Sequence, residues 1–169
     1  MTHTKYTFWI LLGLFLLPFV AATWLYHHAS AFTFNTKNKG TLLNPVHSVS
    51  ELALSQTLDN TWWVLAIIPT CDTACDRTLF WLNQMQTALH KHSPRVQQAL
   101  LQIHPAPEGV TPYPHIQRMS LRAFPPFLTA PAIVLVDPLG NIMMHYDWGV
   151  DPNDIFKDLS FLLKNSQIG

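Results

Sequence analysis

The sequence predicts an α/β domain, a central sheet with helices on its faces, behind one N-terminal transmembrane helix. Three observations carry that prediction. Residues 6–26 hold no charge over a length that crosses a bilayer. Trp62 to Ile68 is a continuous apolar run, followed by a helical pattern and then a second strand-like run. Ala132 to Val136 is a third apolar run, followed by turn residues, a hairpin partner and a closing helix.

The apolar N-terminal segment places Trp9 near one end and Trp24 and Tyr26 near the other, where interfacial aromatics belong. Pro18 is tolerated in such a helix because local backbone adjustment absorbs the lost hydrogen bond. A cleaved signal peptide is the competing reading, since Ala29-Ser30-Ala31 has the small-x-small form of a cleavage site. The apolar run exceeds a usual signal-peptide core of roughly 7 to 15 residues, which favours an uncleaved anchor in a lipid bilayer. Nothing Arg-rich or Ser-rich precedes it, which points to a bacterial inner membrane. Lys5 lies before the helix and Lys37 and Lys39 after it, so charge hardly decides orientation.

The chain accordingly divides into an anchor at 1–28, a linker and entry segment at 29–60, and the α/β domain at 61–169. The entry segment is broken by Gly40, Pro45 and Asn60 and reads as irregular or as a short strand. Trp62 to Ile68 reads as a strand buried on both faces, stopped by Pro69. From about 74 to 91, Leu79, Leu82, Met85 and Leu89 form one helical stripe. Val96 to Ile103 is the second strand. Residues 104–131 are rich in proline and read as a long loop with one helical turn around 115–122. Asp137-Pro138-Leu139-Gly140-Asn141 is turn chemistry, which sends Ile142 to Tyr146 back as a hairpin strand. Asp151-Pro152 is an N-cap followed by Pro at the first helical position, and opens a helix carrying Ile155, Phe156, Leu159, Leu162 and Leu163.

Composition excludes several functions. Ten Lys and Arg balance ten Asp and Glu in 169 residues, so no basic surface for a nucleic acid is available. A hydrophobic share of 49% excludes a disordered chain. No phosphate-binding glycine loop, serine nucleophile elbow or His-Glu-x-x-His motif occurs.

The chemistry therefore centres on the two cysteines, Cys71 and Cys75, in Pro69-Thr-Cys-Asp-Thr-Ala-Cys75. They fall between a strand and a helix start, where the helix dipole favours thiolate. Four-residue spacing puts both sulfurs on one face of the first turn. Such a pair can form a reversible disulfide, bind a soft ion such as Cu(I), or be buried as two small hydrophobes. A structural disulfide closing so short a loop would stabilise by only about 2 kcal/mol. Cys71, further out on the turn, is the expected attacking thiol and Cys75 the resolving one. Redox use favours a periplasmic location.

A strand, two close cysteines and a helix, with Ala130-Pro131 later preceding a strand, looks like the thioredoxin fold, and so the domain at 61–169 is read as thioredoxin-like. In that fold a cis-proline faces the cysteine pair, so the resemblance makes Pro131 the third site residue and its peptide cis. The three-residue spacer resembles the SCO/SenC family, membrane-anchored thioredoxin-like proteins that bind copper for cytochrome c oxidase assembly. Asp137-Pro138, the Asn38 to Pro45 segment and the Ser166 to Gly169 end resemble the same family. The resemblance implies cytochrome c oxidase subunits or assembly factors as partners and copper as a possible ligand of Cys71 and Cys75. The family's copper-binding His would fall at Thr129, and no His lies between 116 and 144. His104 and His115, which flank the long loop, are the remaining candidates for a third ligand. The resulting expectation is a thiol-disulfide oxidoreductase acting on copper-site cysteines. A Cu(I) metallochaperone and a non-catalytic assembly module are the alternatives.

Overall fold

The computed structural model describes residues 3–28, 38–54, 56–71, 73–103 and 113–168. They form two units, an N-terminal helix and a body that begins at Asn38. The helix, α1, spans His3–His27 and contains Pro18. Its stretch Tyr6–His27 is long and apolar enough to cross a membrane. Trp24 stacks on His28 at its C-terminal end, with ring centroids 4.7 Å apart.

The body is a six-stranded sheet in the order β1-β6-β5-β2-β3-β4. The strands are β1 Thr41–Ser48, β2 Trp62–Ile67, β3 Val96–Gln102, β4 Ile116–Ser120, β5 Ala132–Val136 and β6 Asn141–Asp147. β2 pairs in parallel with β3, and β3 with β4. β5 runs antiparallel to β2 and to β6, and β6 to β1. The central strands β2 and β5 are buried throughout, which is why their sequences show no alternation. Helices α2, Thr73–Ala88, and α3, Pro152–Asn165, both cover one face. Leu79, Leu82, Met85 and Leu89 of the first helical segment and Ile155, Leu159 and Leu163 of α3 share one apolar cluster with Trp62, Val64 and Ala66.

The opposite face carries no α-helix among the described residues, only the 3-10 turn Val49–Leu52. Trp63, Leu65, Ile67, Ala99 and Val134 pack there against Leu52, Leu121 and Leu128, with Leu54, Leu58, Phe124 and Phe127 around them. Irregular chain from the entry segment and from the proline-rich region therefore substitutes for a helical layer.

Two expectations change. The helical turn expected around 115–122 is the edge strand β4, because the open side of β3 offers backbone groups that pairing satisfies. Ile116 and Met119, spaced like a helical stripe, point to opposite faces of the strand, Ile116 toward the α2–α3 side and Met119 toward the other, and its remaining side chains are exposed. The first body helix ends at Ala88 rather than Lys91. There His90 takes a left-handed φ of 47°, and the buried Gln86 amide donates to Ser93 O, Ser93 Oγ and Val96 O, which fixes a 3-10 segment, His90–Arg95. In the entry segment, read as irregular or as a short strand, Thr41–Ser48 pairs with β6 as an edge strand. Pro45 is accommodated there because the register slips between Leu42 and His47.

One buried carboxylate fastens the start of the body. Asp158 Oδ2 on α3 accepts hydrogen bonds from Lys39 N at 2.7 Å, Gly40 N at 2.9 Å and Tyr146 Oη at 2.9 Å. A Cβ at position 40 would stand 2.6 Å from the Tyr146 ring, so only glycine fits.

Candidate redox site

β2 delivers the site. After Ile67 the Ile68 amide still bonds to Leu101 O, so the chain leaves the sheet at the C-terminal ends of β2 and β3. Pro69 cannot donate a ladder hydrogen bond, and the chain turns there. Cys71 lies two residues before α2 and Cys75 in its first turn. They are joined as a disulfide, with Cα atoms 5.2 Å apart. Both residues are 0% exposed and belong to the apolar cluster under α2 and α3. The sequence placed Cys71 further out; the structure buries both cysteines equally.

Pro131 arrives from the neighbouring strand. β5 pairs antiparallel with β2, with Ala132 opposite Ile67, so Pro131 comes level with Ile68, three residues before Cys71. Its preceding peptide is trans, contrary to expectation, for the sole cis bond among the described residues is Asn44–Pro45. Ala130 is exposed and Pro131 half-buried, so packing does not supply the ~0.5–1 kcal/mol that favours trans in an X-Pro bond. His115 is exposed and precedes Ile116, which pairs with Gln98, at the opposite end of the sheet from Ile67 and Leu101. His104 lies outside the described residues. Among the described residues no group of three or more His, Cys, Asp or Glu side chains could hold a metal ion. Copper held by this chain's described donors would therefore rest on two thiolates.

A groove of about 570 Å³ opens between α2 and the start of α3; neither cysteine lines it. Arg77, Thr78 and Trp81 of α2 form one wall, and Trp148, Val150 and Asn153 the other. It lies at the cysteine end because Asp147 pairs with Ala132, which carries Trp148 past Pro131. Gly149 turns there with φ 91°. The sequence reading missed this groove. Its available signal was Trp148-Gly149 directly before the Asp151 N-cap, a bulky aromatic on a turn at a helix start. On the other side of the helix start, Tyr113 Oη donates to Asp76 Oδ1 at 3.3 Å.

An oxidised Cys-x-x-x-Cys pair at a strand-to-helix junction, under an antiparallel strand introduced by proline, defines a thioredoxin-like domain. Residues 62–166 match a family model described as a transmembrane-like, thioredoxin-like, C-terminal domain, and the chain belongs to that family. Solved structures with the same fold include copper-bound ScoI of Arabidopsis thaliana, at 13% identity and a TM-score of 0.52, covering 64% of this chain and 88% of that one. Apo Sco1 of Thermus thermophilus matches at 15% identity and a TM-score of 0.52, covering 77% of this chain and 99% of that one. The resemblance to Sco proteins read from the sequence is thus met by a shared thioredoxin-like fold. No curated protein matches the chain.

Proposed function

We propose that the chain is a membrane-anchored thiol-disulfide redox partner acting in cytochrome c oxidase biogenesis on the cysteines of a copper site. In this reading α1 stays uncleaved in a bacterial inner membrane and the thioredoxin-like domain stands in the periplasm. The observation that supports it most is the Cys71–Cys75 disulfide at the start of α2, at the end of the sheet where Pro131 enters β5. The fold shared with Sco proteins supports the oxidase context.

The exchange is balanced as follows. In the dithiol form the Cys71 thiolate attacks a client disulfide, and one client thiolate leaves and takes a proton. The Cys75 thiolate then displaces the second client thiolate, closing Cys71–Cys75. Two electrons pass to the client. A second dithiol protein must return two electrons and two protons to restore the pair. Since both sulfurs are buried when oxidised, that reductant gains access only when the segment from Ile68 to Cys75 opens.

Replacing the resolving thiol tests this. A Cys75→Ser chain, mixed with an oxidised copper-site domain, should accumulate a mixed disulfide through Cys71 that mass spectrometry reads as one covalent adduct. The wild-type chain should accumulate none and should release the client as a dithiol. Stoichiometric copper binding by the reduced chain, with no adduct from either form, would reject redox exchange in favour of the metallochaperone.

A further inference from the structure

The body shows solvent an aromatic and cationic face on the helices that cover the redox pair. On α3, Lys157, Phe161 and Lys164 recur at helical spacing on the side away from the sheet, and Phe161 is 63% exposed. On the adjacent α2, Phe80 and Trp81 are 44% and 48% exposed and meet edge to face at 5.5 Å, with Arg77 exposed one turn earlier. Asp154, paired with Lys157 at 3.3 Å, is the acidic group on this side of α3. Large aromatics flanked by Lys and Arg are the composition of a surface that rests at a lipid headgroup layer.

The chain itself indicates the occupant. Ten residues, 28–37, join His27 to Asn38, a reach of at most about 36 Å. Just beyond Asn38, Lys39 and Gly40 are bonded to Asp158, which lies on α3 one residue beyond Lys157 and three before Phe161. The tether therefore enters the body at the helix that carries the exposed stripe. We propose that this α2–α3 face docks on the anionic surface of the bilayer in which α1 is anchored, with Phe161, Phe80 and Trp81 in the interfacial zone and Lys157, Lys164 and Arg77 on the headgroups. The inference rests on the membrane anchorage proposed above. It orients the Arg77–Trp81 wall of the groove toward the membrane.

Photocrosslinking of the full chain in phosphatidylethanolamine–phosphatidylglycerol vesicles tests it. A benzophenone side chain is placed singly at Phe161, at Trp81, at Leu139 and, as anchorage control, at Phe15. Leu139 is 76% exposed on the β5–β6 turn and lines, with Val49, Leu54 and Leu58, a hollow on the face of the sheet away from α2 and α3. Lipid adducts at positions 15, 161 and 81, with none at 139, are expected. Lys157→Glu with Lys164→Glu should cut the adducts at 161 several-fold and leave those at 15 unchanged. Adducts at 15 but none at 161 and 81 would overturn the docking and spare the anchorage. Their absence at 15 would overturn both. Protein adducts at 161 would overturn the docking by assigning the face to a protein partner.

Discussion

At Tyr146 burial and the neighbouring Asp158 carboxylate act in one direction. Burial is the larger cause and the hydrogen bond to Asp158 the second, and together they raise the phenol well above its usual pKa near 10. Above that pH an unfolded chain releases this proton and the folded chain holds it, so the folded state binds more protons. Stability from this residue is complete below about pH 10 and falls as pH rises beyond it. Tyr146→Phe should therefore flatten the alkaline side of a stability-versus-pH curve measured by urea unfolding. Near pH 7 it should cost only about 1 kcal/mol, since Asp158 keeps the Lys39 and Gly40 amides. Nothing in the residue pattern announces this cluster. Asp158 looks like a solvated residue of an amphipathic helix, and its partners lie 118 and 119 positions away. The cysteine pair was legible because its spacing and its place between strand and helix are local facts. The trans peptide at Pro131 was not, because the resemblance carried position without packing.

Elements were legible where their burial pattern is periodic or unbroken. β2, β5, the hairpin strand β6 and α3 with its Asp151 cap match the residues that predicted them. β4 did not, because a five-residue edge strand with one buried side chain carries hardly more pattern than a helical turn. β1 was half-visible for the same reason. The C-terminal end of α3 has a tie that no pattern exposes. Arg95 donates to the carbonyls of Leu163 at 2.9 Å, Ser166 at 3.1 Å and Ile168 at 2.9 Å. Arg95→Ala should lower stability by about 1–2 kcal/mol. Hydrogen exchange should rise in the last turn of α3 and leave β2 and β5 unchanged; a uniform rise would show that Arg95 holds more than this end.

For the molecule as a whole, strand-helix-strand order and a terminal hairpin were enough to anticipate the α/β sheet, since connection rules leave few arrangements. They did not reveal that one face is covered by irregular chain, because Leu128 and Phe127 reach it from a segment read as loop. The groove, likewise, exists only once α2 and the turn that opens α3 are side by side. The central claim is that Cys71 and Cys75 form a working couple rather than a staple, and a redox titration of the full chain tests it most directly. The chain is equilibrated, from both the oxidised and the reduced side, in dithiothreitol buffers of graded potential, and its thiols are counted by alkylation and mass spectrometry. The account predicts one reversible two-electron transition, coincident from both directions, about 30 mV per tenfold change in the ratio, with circular dichroism unchanged throughout. A disulfide that yields only as the domain unfolds, or a reduced pair that does not close again, would contradict it.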